Sequence, residues 1–257
     1  MKVFITGASS GLGAALARRY AAQGATLGLV ARRAELLEQL AASLPGQHFT
    51  YALDVNHHDA LRNAAQAFID SAGVPDIVIA NAGISVGTLT EYRADVAVFE
   101  RIINTNLVAM VATFSPFIAP MRATCTKEPR TKPRLVGIAS VAGVRGLPGS
   151  EAYCASKAAV ICYCESLRLE LRDSGIRVVT LMPGFVDTPL TASNPYPMPF
   201  IIDADTFSKR AVAAIDRGVS CKVIPWQMAV VAVGLRALPN WLYDFLFAHA
   251  KRKPRAH

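Results

Sequence analysis

The sequence predicts an α/β fold in which a parallel sheet is buried beneath helices. Short apolar runs, such as Val3 to Thr6 and Leu135 to Ala139, alternate along the chain with longer segments of helical period. That alternation is typical of parallel strands whose two faces are covered by helices. Hydrophobic residues make up 52% of the 257 residues, and a chain of this length can bury one full-sized core. Because no low-complexity linker interrupts the chain, we expect a single domain.

The first strand leads directly into a glycine-rich turn. Val3 to Thr6 is followed by Gly7-Ala-Ser-Ser-Gly11-Leu-Gly13, and a helix is predicted from there to about Gln23. Glycine lets backbone N–H groups approach a ligand closely, and the helix N-terminus adds unpaired donors and a positive dipole end. The turn therefore predicts a pyrophosphate cradle. Its cofactor-binding positions are Gly7, Ser9, Ser10, Gly11, Leu12 and Gly13.

The second predicted strand, Ala25 to Ala31, ends in Arg32 and Arg33. In a doubly wound sheet this strand end lies beside the ribose of a bound adenosine. An acidic side chain there would bind a free 2′-hydroxyl, whereas arginine pairs with a 2′-phosphate. The two arginines therefore favour NADP(H) over NAD(H), although they could instead solvate the start of the next helix.

Asp54 and Val55 close the third predicted strand, which begins at Phe49. Both residues are predicted to contact the cofactor, because Asp54 would lie at the carboxyl end of the sheet, near an adenine edge. Asp54 could equally cap the helix predicted from His58 to Ser71.

The fourth predicted strand, Asp76 to Ala80, runs into Asn81-Ala82-Gly83. Small residues in this tight turn would let the backbone pass close to a ribose. Asn81 could equally be a structural amide that ties neighbouring strands together.

A long helix is predicted from Phe99 to about Met121, with prolines able to bend it. Asn106 is a polar amide in its apolar stretch and needs a partner. We predict that Asn106 orders water beside a catalytic lysine, and we interpret Asn104 as a cap or surface amide. The charged segment 124–134 is predicted to be a solvent-exposed loop.

Ser140, Tyr153 and Lys157 supply three reactive side chains to one predicted pocket. Ser140 follows the apolar strand that ends at Ala139, while Tyr153 and Lys157 lie four residues apart at the start of an apolar helix. That spacing puts the phenol and the ammonium on one helical face. A nearby cation lowers the pKa of a tyrosine and suits it to acid–base work. The pair alone is also common on protein surfaces.

A further turn, Pro183-Gly184, follows the predicted strand from Ile176 to Met182 and could face a nicotinamide ring. Val186 and Thr188 complete this set of cofactor contacts, with the Thr188 hydroxyl near a carboxamide or phosphate. The proline-rich and aromatic segment Pro189 to Ile202 is predicted to be a mobile lid over an apolar substrate.

The C-terminal part allows three interpretations. Trp226 to Leu238 and Trp241 to Ala250 are apolar helices separated by Pro239-Asn240. They could form a core or dimer interface, a lid beside the substrate, or a membrane-surface element with the basic tail over anionic headgroups. Thirteen residues are too few to span a bilayer, and we expect no other segment to be long and apolar enough to do so.

The net charge of +8 is concentrated in two places. The tail 251–257 contributes Lys251, Arg252, Lys253 and Arg255, and the segment 127–134 contributes most of the rest. This distribution argues against nucleic-acid binding and favours a solvated tail or a contact with anionic lipid. No cysteine or histidine spacing suggests a metal site, and the immediate start of a strand at the N-terminus leaves no room for a signal peptide.

These motifs, in this order and at this spacing, resemble the short-chain dehydrogenase/reductase family. The resemblance extends to about Ile224, and seven motifs lie in register, with Ala80 replacing a second asparagine found in many members. It implies a Rossmann-type, doubly wound parallel sheet of about seven strands in a catalytic domain at 1–225. A helical extension of the same domain would follow at 226–250, and then the basic tail at 251–257.

The resemblance also implies residue roles. Tyr153 would be the general acid or base, Lys157 would lower its pKa and bind the ribose, Ser140 would bind the substrate oxygen, and Asn106 would support a water-linked proton relay. The implied protein is an NADP(H)-dependent oxidoreductase acting on an apolar carbonyl or alcohol, as a cytoplasmic homodimer or homotetramer. The alternative is a non-catalytic NADP(H)-binding sensor or scaffold.

Overall fold

The structure is a computed structural model, and it describes residues 1–127, 132–192 and 194–255. The strands are β1 (Lys2–Thr6), β2 (Thr26–Ala31), β3 (His48–Ala52), β4 (Ile77–Ala80), β5 (Arg134–Ile138), β6 (Arg177–Pro183), β7 (Val186–Asp187), β8 (Ile202–Asp203) and β9 (Cys221–Ile224). The α-helices are α1 (Gly11–Ala21), α2 (Ala34–Ser43), α3 (His58–Ala72), α4 (Arg93–Ile103), α5 (Ala109–Lys127), α6 (Glu151–Glu170), α7 (Ala204–Arg217), α8 (Gln227–Ala237) and α9 (Asn240–Phe247).

Seven parallel strands form one sheet in the order β3-β2-β1-β4-β5-β6-β9. The chain moves outward from β1 in one direction and then, at β4, in the other. Ligands bind at such a switch point, beyond the carboxyl ends of the strands. The predicted parallel sheet of about seven strands is therefore confirmed.

Helices cover both faces of the sheet because the strands are apolar on both sides. One core layer lies beneath α1, α2 and α7 and contains Leu16, Leu37 and Phe207. The other lies beneath α3, α5 and α6 and contains Phe68 and Phe114. This arrangement fixes the strand ends, and with them the turns that carry the polar side chains.

The third strand ends at Ala52, earlier than predicted, so Asp54 and Val55 lie in the following loop. Asp54 does not cap α3, because the N-cap residue is His57 and makes no side-chain bond. The Asp54 carboxylate instead accepts from the backbone and side-chain N–H groups of Asn56, at 2.9 and 2.8 Å. The loop therefore keeps the carboxylate at the edge of the sheet.

The long helix begins earlier and ends later than predicted, and it contains a π-helical turn, Asn104–Val108, between α4 and α5. Residues 124–127 belong to α5, so that part of the predicted loop is wrong, while 128–131 lie outside the described residues. The continuous helix Arg93–Lys127 is long and apolar enough to cross a membrane by length and composition alone. The expectation of no such segment was therefore wrong, although Phe114 and Phe117 lie fully buried in the core.

Residues 251–255 fold back onto the domain and form what we call the C-terminal strap. The Gly87 N–H donates to the Pro254 carbonyl at 2.9 Å, and the Arg255 guanidinium binds both oxygens of the buried Asp95 carboxylate at 2.8 and 3.0 Å. A Cβ on Gly87 would lie 2.2 Å from the Lys253 carbonyl. The prediction of a solvated tail is therefore wrong for Lys253 and Arg255, while Lys251 and Arg252 are exposed.

Candidate active site

A cavity of about 470 Å³ opens at the carboxyl ends of the central strands. It is lined by the predicted positions apart from Gly13 and Asn106: Gly7, Ser9, Ser10, Gly11, Leu12, Arg32, Arg33, Asp54, Val55, Asn81, Ala82, Gly83, Ser140, Tyr153, Lys157, Pro183, Gly184, Val186 and Thr188. Turns that are distant in the sequence therefore meet in one site, as parallel strand ends require.

The glycine turn packs too tightly for side chains. Gly7 has a positive φ of 68°, and a Cβ there would lie 2.8 Å from the Ala82 backbone. A Cβ on Gly13 would lie 2.2 Å from the Gly7 carbonyl oxygen. Gly13 therefore supports the turn from behind by letting α1 pack close to β1, and it does not face the cavity.

Asn81 ties the first and fourth strands together at the cavity floor. Its side-chain N–H groups donate to the carbonyls of Thr6 and Gly7 at 3.0 and 3.1 Å. The Thr6 hydroxyl in turn accepts from the backbone N–H groups of Asn81 and Ala82, each at 3.2 Å. The structure thus gives Asn81 the structural role that the sequence left open, while keeping it on the cavity wall.

Arg33 lies beside the glycine turn and makes a small polar cluster. Its guanidinium donates to the hydroxyls of Ser9 and Ser10 at 3.2 and 2.9 Å. In the part of the chain that the structure describes, no carboxylate lies within ion-pair distance of Arg33. Arg32 instead approaches the Asp54 carboxylate at 3.9 Å. A cation and two hydroxyls therefore face the rim where a phosphate could bind.

Ser140 is held at the end of β5 by its own turn. Its hydroxyl accepts from the backbone N–H of Ala142 at 3.1 Å, which starts a 3₁₀ turn at Val141–Gly143. The hydroxyl also donates to the Pro183 carbonyl at 3.5 Å, and it interacts with Tyr153 so as to lower the pKa of that phenol. Serine and tyrosine therefore present their oxygens to the same point in the cavity.

Lys157 lies one turn beyond Tyr153 on α6, as its spacing predicts. Its ammonium donates to the Ile138 carbonyl at 2.7 Å and lies 5.8 Å from the centroid of the Tyr153 ring. The first turns of α6 thus bring both side chains into contact with the carboxyl end of β5. One wall of the cavity is therefore built from β5 and α6.

The pKa values of the pair differ from the sequence prediction. Burial raises the pKa of Tyr153 to about 12, and the hydrogen bond with Ser140 offsets only part of that rise. Burial lowers the pKa of Lys157 to about 8. The expected net lowering of the Tyr153 pKa is therefore wrong, because the loss of hydration on burial is the largest effect on this phenol.

Asn106 lies in the π-helical turn and is fully buried. Its side-chain oxygen accepts from the Ile84 N–H at 2.8 Å, and its amide donates to the Ile84 carbonyl and the Ser156 hydroxyl at 3.0 and 2.9 Å. Both amide N–H groups are thus already used by protein partners. Asn106 positions the loop beside Lys157, and π-helical turns often occur at functional sites.

The segment predicted to be a lid is fixed at both ends. β7 pairs with β8, joining Val186 to Ile202 and Asp187 to Asp203. The Thr191 hydroxyl donates to the Val186 carbonyl at 2.6 Å and accepts from the Thr188 N–H at 3.1 Å. Between them, Tyr196 lies 6.3 Å from Phe185, measured between ring centroids. The segment is therefore a loop that is anchored at both ends by paired strands and that contributes one aromatic contact.

Sequence reasoning missed the contribution of the C-terminal strap. The Lys253 ammonium donates to the Ser85 hydroxyl at 3.0 Å and to the Leu190 carbonyl at 3.4 Å. It therefore joins the loop after β4 to the segment after β7, next to the cavity-lining residues Ile84 and Leu190. No local pattern predicts this contact, since the three partners lie far apart in the chain.

Other missed wall residues neighbour the predicted ones. Asn56 donates to the Thr105 hydroxyl at 3.1 Å, and both line the cavity. Their positions, two residues after Asp54 and one before Asn106, are the signal that could have identified them. The remaining missed wall residues are Ala31, Leu53, Ile84, Ile138, Ala139, Pro189, Leu190 and Thr191.

Comparison with known proteins identifies the family. The model for short chain dehydrogenases matches residues 1–197. An uncharacterized oxidoreductase of Myxococcus xanthus is 38% identical over 243 residues, which is 93% of either chain. The resemblance deduced from the motifs is thus supported over nearly the whole length.

Two solved structures share the fold. A 3-ketoacyl-(acyl-carrier-protein) reductase from Brucella melitensis, complexed with NADH, has a TM-score of 0.79 and 24% identity, covering 87% of this chain and 96% of that one. An L-sorbose reductase from Gluconobacter frateurii, complexed with NADPH and L-sorbose, has a TM-score of 0.76 and 24% identity, covering 87% and 94%. With the family match over more than half of the sequence, the chain belongs to the short-chain dehydrogenase family of oxidoreductases.

Proposed function

We propose that the protein is an NADP(H)-dependent oxidoreductase that interconverts an apolar carbonyl compound and its alcohol, with Tyr153 as the general acid or base. The observation that carries this proposal is the meeting of Ser140, Tyr153 and Lys157 in one cavity with the glycine turn. A surface Tyr–Lys pair would have no such neighbours. The non-catalytic sensor is less well supported, because the acid–base set is complete.

The residues present fit a dinucleotide. Backbone crowding at Gly7 leaves the turn without side chains, so its N–H groups and the start of α1 can hold a pyrophosphate. A Cβ on Gly83 would lie 3.7 Å from the Lys157 ammonium, so this glycine keeps the approach to Lys157 open for a ribose. Thr188 also lines the cavity, where a Cβ on Gly11 would lie 3.5 Å from its side chain, and it would contact the carboxamide or a phosphate.

The preference for NADP(H) is argued from Arg33. Its guanidinium already faces the hydroxyls of Ser9 and Ser10, and all three groups can donate to a phosphate. Arginine binds phosphate strongly through paired, charge-assisted hydrogen bonds. A free 2′-hydroxyl carries no charge and accepts fewer hydrogen bonds from this cluster, so NAD(H) should bind more weakly than NADP(H).

A bound nicotinamide nucleotide would supply or accept the hydride. Ser140 would hold the substrate oxygen with its hydroxyl, and Tyr153 would donate its proton to that oxygen as negative charge develops on it. The raised pKa keeps Tyr153 protonated at neutral pH, which favours carbonyl reduction. The protonated Lys157 would stabilise the phenolate that remains.

An apolar substrate is supported by the apolar packing behind Gly184, which lines the cavity. Val141, Met228 and Ala232 form a small apolar cluster there, with Phe185 packed against it. A Cβ on Gly184 would lie 2.5 Å from the Met228 side chain, so α8 packs directly behind a residue that lines the cavity. The reacting oxygen of the substrate would bind at Ser140 and Tyr153.

Fluorescence titration with NADPH and NADH, followed by turnover with a panel of ketones and aldehydes, tests the proposal. We expect Arg33→Ala to raise the Kd for NADPH by about 10- to 100-fold, the value of one or two charge-assisted hydrogen bonds, with little effect on NADH. Arg62→Ala, at an exposed arginine far from the cavity, is the matched control. Binding of NADPH without turnover of any carbonyl would favour the sensor.

We also propose a cytoplasmic homodimer or homotetramer formed through the long helices. Val96 and Phe99 on α4 and Val111 on α5 are exposed apolar residues on this helix, and covering them would stabilise an assembly. Light scattering of the purified protein tests this. A monomer at micromolar concentration would contradict it.

A further inference from the structure

The helices α8 and α9 present large apolar side chains to solvent. Six of them are between 56% and 77% exposed, and we call this set the apolar end face. Its members are Trp226, Val230, Val233, Trp241, Phe245 and Leu246. Soluble proteins seldom expose so many large apolar groups together unless the surface binds something.

The exposure follows from how each helix packs. Met228 and Ala232 of α8 face the protein, whereas Trp226, Val230 and Val233 recur at intervals of four and three residues on another side. On α9, Tyr243 is buried, while Trp241 and Phe245 lie one turn apart. Each helix therefore has two apolar sides. One side packs against the protein, and the other is exposed to solvent.

One arginine holds both helices in place. The Arg145 guanidinium donates to the carbonyls of Leu235 and Leu238, each at 2.6 Å, and to the Asn240 side chain at 3.0 Å. It also lies 3.9 Å from the centroid of the Tyr243 ring, and the Tyr243 hydroxyl donates to the Gly146 carbonyl. The apolar end face is thus a fixed surface and not a frayed terminus.

Basic residues lie at the same end of the molecule. Arg252 packs against Gly149, where a Cβ would lie 2.8 Å from its side chain, and Gly149 belongs to the same loop as Arg145. Lys251, Arg252 and the last-turn Arg236 are exposed. Asp244 is the acidic residue of the two helices. Aromatic and aliphatic groups with basic neighbours are the chemistry of a helix lying on an anionic membrane surface.

We propose that the apolar end face docks the enzyme onto an anionic lipid bilayer, with Trp226, Trp241 and Phe245 at headgroup depth and Lys251 and Arg252 over the phosphates. A second copy fits this face less well, since a two-fold contact would bring the basic residues of both copies together. Neither helix is long enough to span the bilayer. The inference does not depend on the proposed reaction, although α8 packs behind Gly184 of the cavity.

Vesicle flotation with intrinsic fluorescence tests the proposal directly. The chain has two tryptophans, and both lie in the apolar end face, so their emission should shift to the blue when the protein binds. We expect binding to vesicles containing phosphatidylglycerol at low salt, and weaker binding to phosphatidylcholine alone. The paired change Lys251→Glu and Arg252→Glu should weaken binding to the anionic vesicles by about ten-fold or more.

The paired change Trp241→Ser and Phe245→Ser should weaken binding by at least ten-fold, because it removes most of the inserted apolar area. Leu169→Ser is the matched control, since Leu169 is 63% exposed on α6 and outside the apolar end face. Circular dichroism and NADPH affinity show whether each variant is folded. Failure of the wild-type protein to float with anionic vesicles would overturn the proposal. So would unchanged flotation of the Trp241/Phe245 variant, or a dimer that this variant alone converts to monomer.

Discussion

The two ends of the cavity are built in different ways; we call them the cofactor end and the substrate end after the ligands that we propose for them. At the cofactor end, the Asn81 side chain bonds to the backbone of the glycine turn. Gly7 and Gly13 pack so closely there that neither has room for a Cβ. At the substrate end, separate segments are joined by side chains, such as Lys253 between Ser85 and Leu190. The cofactor end is therefore formed by the strand ends of the sheet, whereas the substrate end is formed by loops that side chains join together.

This difference indicates how each end should respond to change. A substitution at the cofactor end has to move backbone, which a close-packed interior resists. A substitution at the substrate end loosens one tether while the strands stay in place. Cofactor binding and stability should therefore fail together at the first end, and substrate affinity should vary alone at the second.

Apart from a change at Tyr153 itself, the largest expected effect is at the wall formed by β5 and α6, between the two ends. Lys157→Met should lower kcat for carbonyl reduction by about 10²- to 10³-fold, because the phenolate formed at Tyr153 loses its stabilising cation. Steady-state assays at saturating NADPH measure this. Lys209→Met, at an exposed lysine of α7, is the control, and an equal loss in both variants would show that the effect is not local.

The same variant should be more stable than the wild type at neutral pH. Burial lowers the pKa of Lys157 from its ordinary 10.5 to about 8, so at pH 7 the folded protein carries a buried charge at a cost. Between pH 8 and 10.5 the folded state loses this proton before the unfolded state does, and the free energy of unfolding rises with pH. After allowing for the lost bond to Ile138, we expect Lys157→Met to gain about 2 kcal/mol at pH 7. Urea denaturation at pH 7 and pH 10 should show this advantage shrinking as pH rises; a constant difference would argue against it.

The next effect tests the cofactor end itself. Gly13→Ala should cost about 3 kcal/mol in unfolding free energy and weaken NADPH binding more than ten-fold, because the added Cβ displaces the Gly7 carbonyl. Gly234→Ala is the matched control. A Cβ there meets nothing within 4 Å, and alanine in the exposed helix should add about 0.5 to 1 kcal/mol. Normal NADPH affinity in Gly13→Ala would show that the turn is less rigid than its packing implies.

The smallest effect is expected at the C-terminal strap. Lys253→Met keeps the length of the side chain but removes the bonds to Ser85 and Leu190. A single lost tether of about 1 kcal/mol corresponds to a rise in substrate KM of about five-fold, with unchanged NADPH affinity. Arg255→Ala should act in the same direction by releasing the strap from Asp95. An altered NADPH affinity with a normal substrate KM would contradict this prediction, because it would show that the strap supports the cofactor end of the cavity.

The positions that the sequence predicted well lie close to the carboxyl ends of strands. Gly7, Ser140 and Gly184 follow buried strands, and parallel strands bring their carboxyl ends together whatever the intervening helices do. The pair Tyr153 and Lys157 needs only helical spacing. These positions can be predicted from a single sequence, because they depend only on local patterns and on the meeting of parallel strand ends at one edge of the sheet.

What the sequence did not predict depends on contacts between distant segments or on burial. The strap requires Gly87, Asp95 and Arg255 to meet, and no spacing rule links them. The direction of the Tyr153 pKa shift requires a comparison of lost hydration with a nearby cation, which only the packed site supplies. Likewise Asn106 was recognised as a buried amide, but its partners Ile84 and Ser156 were not.

The most direct test of the account is a single-turnover measurement on Tyr153→Phe. With NADPH bound and a reducible carbonyl added, the account predicts that cofactor oxidation slows by about 10²- to 10⁴-fold, while NADPH binding stays within a few-fold of the wild-type value. Phenylalanine preserves the ring and removes only the hydroxyl that faces Ser140. An unchanged oxidation rate in Tyr153→Phe would contradict the assignment of Tyr153 as the proton donor.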